Sequence, residues 1–80
     1  MQIQVLLFGI VADLVGESTI EMELSENTSI KNFKEELIIR FPQLKNYSTY
    51  AVAVNENYAQ NDVVLKEQDV LAIIPPVSGG

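Results

Sequence analysis

Residues 30–41 read IKNFKEELIIRF, and this stretch sets the architecture of the chain. Apolar residues recur along it at spacings of three and four, namely Ile30, Phe33, Leu37 and Phe41. Ile38 widens this apolar stripe. The charged residues fall largely on the opposite face, so the pattern predicts an amphipathic helix packed on a core. Thr28 is expected to cap its start. Pro42 is expected to end it, because the proline ring clashes with the preceding turn and offers no N–H.

Strand patterns lie on both sides of this helix. Before it, residues 2–8 start as an alternation and become continuously apolar, and residues 19–24 alternate strictly. After it, residues 50–54 and 70–74 are apolar, and residues 63–65 have the composition of a short edge strand. The predicted order is therefore strand, strand, helix, strand, short strand, strand.

The most continuously apolar strands are the first and the last, so we expect both in the middle of the sheet. One main helix across one face gives a two-layer α+β domain with a sheet of about four to five strands. With the two end strands adjacent and parallel, this mixed sheet is the ubiquitin-like β-grasp architecture. We expect residues 1–74 to form that domain and residues 75–80 to form a flexible, extended C-terminal tail.

Composition excludes several classes of function. The 80 residues carry a formal net charge of -6, which opposes binding to nucleic acid or to an anionic membrane surface. There is no cysteine and no histidine, so the usual thiolate and imidazole groups for metal binding or acid–base catalysis are missing. We expect no catalytic residue, no metal site and no bound cofactor. Without a basic leader or a long apolar run, a cytoplasmic location is expected.

The chain ends in a segment with distinctive chemistry. It consists of Pro75, Pro76, Val77, Ser78, Gly79 and Gly80. The two prolines favour an extended exit from the last strand, and the glycines at its tip have no side-chain bulk. Extended, six residues reach about 20 Å. Such an arm can carry the carboxylate of Gly80 end-on into a narrow partner site.

Together these residues resemble the small, sulfur-carrying subunit of molybdopterin synthase along the whole chain. The marks are residues 5–9 (VLLFG), 14–16 (LVG), 53–55 (AVN) and, most specifically, 74–80 (IPPVSGG). The sequence departs from the family at residues 67–69, where Glu-Gln-Asp replaces a frequent Asp-Gly-Asp turn.

The resemblance implies a chemical cycle carried by partners. An ATP-using activating enzyme adenylates Gly80, and a sulfur donor converts it to a thiocarboxylate. The tail then enters the large subunit of molybdopterin synthase and donates sulfur to cyclic pyranopterin monophosphate, in a heterotetramer with two carriers. The resemblance also suggests a docking surface formed by Phe8, Tyr58 and Ile74, although Phe8 and Ile74 can instead complete the core.

Three other functions are compatible with the same residues. A sulfur carrier for thiamine synthesis and a ubiquitin-like protein modifier would both use Gly80. A plain interaction module would make no use of the terminal glycines.

Overall fold

The computed structural model describes residues 1–47 and 50–75. Its strands and helices, in chain order, are β1 (Gln2–Leu7), α1 (Gly9–Val15), β2 (Thr19–Glu23), α2 (Ile30–Arg40), a 3₁₀ helix (Pro42–Tyr47), β3 (Ala51–Val54), β4 (Asn57–Tyr58) and β5 (Val70–Ile74). The five strands form one sheet in the order β2-β1-β5-β3-β4. Strands β1 and β5 run parallel beside each other, and the remaining pairs are antiparallel. The predicted β-grasp topology, with both end strands inside the sheet, is confirmed.

Helix α2 packs on one face of the sheet because its apolar stripe meets the inward side chains of the strands. Phe33, Ile30 and Leu37 are fully buried in this layer. The strands contribute alternate residues to the same core, including Ile3, Val5, Leu7, Leu71 and Ile73. The period of two along each strand therefore leaves a second face of the sheet uncovered by α2.

Two local predictions are wrong, and the first concerns the residue that caps α2. The side chain of Ser29 caps α2, accepting a hydrogen bond from the Asn32 amide at 3.2 Å. Thr28 instead donates its hydroxyl proton to the carbonyl of Ser25, which closes the preceding turn. Neighbouring hydroxyl residues are equally able to cap, so the pattern alone misplaces the cap by one residue.

The fourth strand also differs from the prediction. Residues 63–65 do not form it; Val64 makes only an isolated bridge with Ser29. The edge strand is β4, which follows β3 through a two-residue turn at Asn55 and Glu56. Both turn residues have positive φ, as in the tight hairpin turns that match strand twist. Composition favoured the valines, whereas the two-residue turn places the strand immediately after Glu56.

The departure at residues 67–69 leaves the turn intact. Gln68 adopts a left-handed backbone with φ of 67°, the conformation that glycine would take without strain. The amide of Gln68 donates to the Gln2 carbonyl at 2.7 Å, and the Lys66 amide donates to the Asp69 carboxylate at 2.8 Å. These bonds hold a non-glycine residue in the conformation that the turn requires.

Candidate docking face and tail exit

The last described residue, Pro75, leaves the sheet directly beside Gly9. Gly9 has φ of 56°, and a Cβ placed on it would lie 3.2 Å from Cγ of Pro75. The glycine thus accommodates both a left-handed turn between β1 and α1 and the close approach of the chain as it leaves β5. Pro75 therefore lies at the end of a central strand, close to Gly9 and its neighbour Phe8.

Most of the predicted tail lies outside the described residues. Pro75 is half-buried at the end of β5. The others are Pro76, Val77, Ser78, Gly79 and Gly80. The role predicted for Gly80 and the boundary between domain and tail both stay predictions.

The three residues predicted for docking all belong to the open face of the sheet, the one that α2 leaves uncovered. Phe8 continues the outward positions of β1 with an extended backbone and is 48% exposed. Tyr58 on β4 is 75% exposed. Ile74 is half-buried and alternates with the core residue Ile73. The alternative that Phe8 and Ile74 complete the core does not hold, although a role in docking stays a prediction.

Small residues that pair across neighbouring strands lie between the side chains of Phe8, Tyr58 and Ile74. Ile74 pairs with Ala51, and Ala53 pairs with both Ala72 and Tyr58. Leu6 on β1 also pairs with Ala72. None of the predictions placed these alanines or Leu6 on the open face. The composition of β5 indicates such a surface, because this strand is apolar at every position, whereas a strand buried on one face needs apolar residues only at alternate positions.

The rest of the open face is polar. The outward residues of β1 and β2 are, beyond Leu6, Gln2, Gln4, Thr19, Glu21 and Glu23. The open face therefore has an apolar half over β5, β3 and β4, continued by Leu6 and Phe8, and an acidic half over β2. Only the first half offers an apolar surface, and Pro75, the last described residue, lies at the end of this half.

A hydrogen-bond network braces the end of this face opposite the tail exit. The Asn55 amide group donates to the Asp69 carboxylate at 2.9 Å, and the Val70 amide donates to the Asn55 side-chain oxygen at 3.0 Å. At the start of β1, the Gln2 amide donates to both carboxylate oxygens of Glu67. Both carboxylates therefore act as acceptors that hold the ends of β1 and β5 in place.

Outside this face, Tyr50 has a clearly shifted pKa. Burial raises the pKa of Tyr50 to about 12. The side chain is 4% exposed in the core, and its hydroxyl has no hydrogen-bond partner among residues 1–47 and 50–75. Within those same ranges, no helix is long and apolar enough to cross a membrane.

The comparison with known families matches this sequence to the ThiS family over residues 5–80. The chain belongs to the ThiS family. Two curated relatives are molybdopterin synthase sulfur carrier subunits. The one from Arabidopsis thaliana is 33% identical over 81 residues, covering 100% of this chain and 84% of that protein. The one from Dictyostelium discoideum is 36% identical over 84 residues, covering 99% and 96%.

A solved structure agrees with this placement in the ThiS family. A putative molybdopterin converting factor subunit 1 from Pyrococcus furiosus superposes with a TM-score of 0.88 at 29% identity, covering 96% of this chain and 99% of that one. The family resemblance, the β-grasp fold and the sulfur-carrier role predicted from the sequence are confirmed.

Proposed function

We propose that this ThiS-family chain is the sulfur carrier subunit of molybdopterin synthase and that the carboxylate of Gly80 is the group that carries the sulfur. The observation that supports this most strongly is its similarity, over essentially its whole length, to subunits of that name. The exit of the chain at Pro75, beside an uncovered apolar face, is consistent with a carrier that docks by its sheet and presents its terminus.

The composition restricts where sulfur can be held. With no cysteine in the chain, no side-chain thiolate is available to form a persulfide. A free carboxylate is also a poor electrophile and needs a leaving group. In the proposed cycle, an oxygen of Gly80 attacks the α-phosphate of ATP and releases pyrophosphate. A sulfur nucleophile at the oxidation level of hydrosulfide then attacks the acyl carbon and releases AMP.

The partners supply the rest of the chemistry. The activating enzyme holds the ATP, and no cofactor is bound by the carrier itself. The large subunit receives the tail, residues 75–80, and orients the thiocarboxylate toward cyclic pyranopterin monophosphate, so that proximity accelerates sulfur transfer. The carrier is then a non-catalytic subunit of the enzyme, in a cytoplasmic heterotetramer with two carriers on a dimer of large subunits.

The apolar half of the open face is the proposed contact with the large subunit. Phe8, Tyr58 and Ile74 lie on this face, and the first two are substantially exposed. Large aromatic side chains at the centre of an interface commonly contribute most of its binding energy. The tail, which leaves from the same end of the sheet as Phe8, would enter the partner next to this contact.

Deletion of Gly79 and Gly80 tests the proposal. The thiocarboxylated parent, mixed with the large subunit and cyclic pyranopterin monophosphate, should yield molybdopterin, whereas the truncated chain should yield none at an unchanged melting temperature. Glu36→Gln, on the exposed surface of α2, serves as the control and should retain full yield. Undiminished yield from the truncated chain would reject Gly80 as the sulfur-bearing residue. Heavier covalent conjugates of the parent in cells would instead favour a protein modifier.

A further inference from the structure

Basic residues are unevenly distributed between the two layers of this domain, whereas acidic residues occur in both. None of the five described strands contains Lys or Arg, and their charged residues are Glu21 and Glu23. The basic residues lie mainly on the opposite layer, at Lys31, Lys34 and Arg40 on α2 and at Lys45 in the 3₁₀ helix. A partner approaching the open face therefore meets apolar and acidic groups, a combination complementary to an apolar surface with basic side chains.

A recess on the open face combines both properties. It has a volume of about 350 Å³ and is lined by Leu6, Val70, Asn55 and Glu56. Leu6 and Val70 are diagonal neighbours on β1 and β5 and form an apolar floor. Glu56 stands at the rim, in the turn between β3 and β4. An Arg or Lys side chain matches this arrangement, because its long aliphatic stem packs on apolar surface while its charged head stays near water.

The walls of the recess are held in place before any partner arrives. Asn55 is hydrogen-bonded through its side chain to both Asp69 and the Val70 amide. The neighbouring carboxylate of Asp69 accepts from Asn55 and from the Lys66 amide, so it is already engaged within the domain. The carboxylate of Glu56 takes no part in this network. It is the acid at this rim that remains for an external cation.

The backbone at Glu56 gives a second reason to assign it a role. Its φ is 75°, in the left-handed region where glycine is favoured and an ordinary side chain is strained. Two-residue hairpin turns of this kind usually have glycine at the second position. A glutamate at this position makes the turn less stable than glycine would, but it places a carboxylate beside the recess.

We infer that the recess receives an Arg or Lys side chain of the large subunit, with its stem on Leu6 and Val70 and its cation paired with Glu56. This inference rests on the proposed function, because it takes the large subunit as the partner of the open face. It adds an electrostatic contact at the end of the face away from the tail exit. Two contacts at opposite ends would fix the orientation of the sheet while the tail is inserted.

Calorimetric titration of the purified large subunit with the full chain tests this inference. At low salt, Glu56→Gln should weaken binding about fivefold, and the difference should shrink as added salt screens the pair. Glu56→Gly should weaken binding to the same extent while raising the melting temperature, because it relieves the turn. That combination separates loss of the carboxylate from misfolding. Glu36→Gln removes the same charge from α2 and should bind like the parent.

Two outcomes would overturn the inference, and only the second would also contradict the proposed function. Equal affinity of the parent, Glu56→Gln and Glu56→Gly would remove the contact at Glu56 while leaving the proposed function in place. Absence of binding by the parent itself would contradict the large subunit as partner, and with it the proposed function.

Discussion

The helix-covered face and the open face of the sheet are built from the same strands, yet their apolar side chains have different surroundings. On the covered face, Val5, Leu71 and Ile73 are completely buried beneath α2. On the open face, Phe8 is 48% exposed and Tyr58 is 75% exposed. Burial stabilises the fold by about 25 cal/mol per Å² of apolar surface, a contribution that exposed side chains make only in part. Exposed apolar residues that contribute little to folding are expected where a partner binds, as proposed for this face.

The covered face should be sensitive to truncation. Phe33→Ala removes a fully buried aromatic ring from α2 and should lower the free energy of unfolding by about 3–5 kcal/mol. Chemical denaturation followed by circular dichroism measures the change. Loss of less than about 1 kcal/mol would show that the covered face is not the stabilising core.

Substitution of Gly9, which lies between β1 and α1 beside Pro75, should destabilise the fold less than loss of Phe33. Gly9→Ala places a methyl group 3.2 Å from Pro75 in a left-handed backbone and should cost about 1–2 kcal/mol. Gly16→Ala is the matched control, because Gly16 also has positive φ but nothing lies within 4 Å of an added Cβ. Denaturation of both variants isolates the contact with Pro75, and equal losses would show that this contact contributes nothing.

The stability of the fold at alkaline pH tests the burial of Tyr50 in the core. Because the pKa of Tyr50 is raised from 10.0 to about 12, the folded state keeps a proton that the unfolded state releases between these values. Stability should therefore be unaffected by Tyr50 below about pH 10 and fall as the pH rises from there toward 12. Comparison of parent and Tyr50→Phe by denaturation across this range measures the contribution. An identical decline in both proteins would mean that Tyr50 ionises as freely when folded as when unfolded.

The open face should show the smallest effect on stability. Phe8→Ala should change the free energy of unfolding by no more than about 0.5 kcal/mol, as expected for an exposed position. The same variant should weaken binding to the large subunit by about tenfold or more, because aromatic anchors carry much of an interface's energy. Denaturation and titration of one preparation measure both quantities. A large loss of stability would place Phe8 in the core after all.

Much of this architecture could be predicted from the sequence, because period and composition have direct physical causes. The spacing of Ile30, Phe33 and Leu37 predicted α2, and the apolar runs at both chain ends placed β1 and β5 inside the sheet. The cap and the edge strand were mispredicted. For the cap, Thr28 and Ser29 are adjacent hydroxyl residues with similar capping ability. For the edge strand, the apolar composition of residues 63–65 was given more weight than the turn at residues 55–56, which pairs Tyr58 with Ala53.

The candidate site was predictable only in part. Phe8, Tyr58 and Ile74 came from a family resemblance, since periodicity alone does not separate an exposed apolar face from a core. The recess at Glu56 was not predictable, because it depends on a turn that brings residues 55 and 56 beside Val70. Side chains far apart in sequence meet there through strand pairing, which no local pattern records.

The most direct test of Gly80 as the sulfur-bearing residue is intact-mass spectrometry of the chain after incubation with an activating enzyme, ATP and a sulfur donor. We expect a mass gain equal to replacement of one oxygen by sulfur, localised to Gly80 by fragmentation. An unchanged mass, obtained with an enzyme that thiocarboxylates a related carrier in the same buffer, would contradict it.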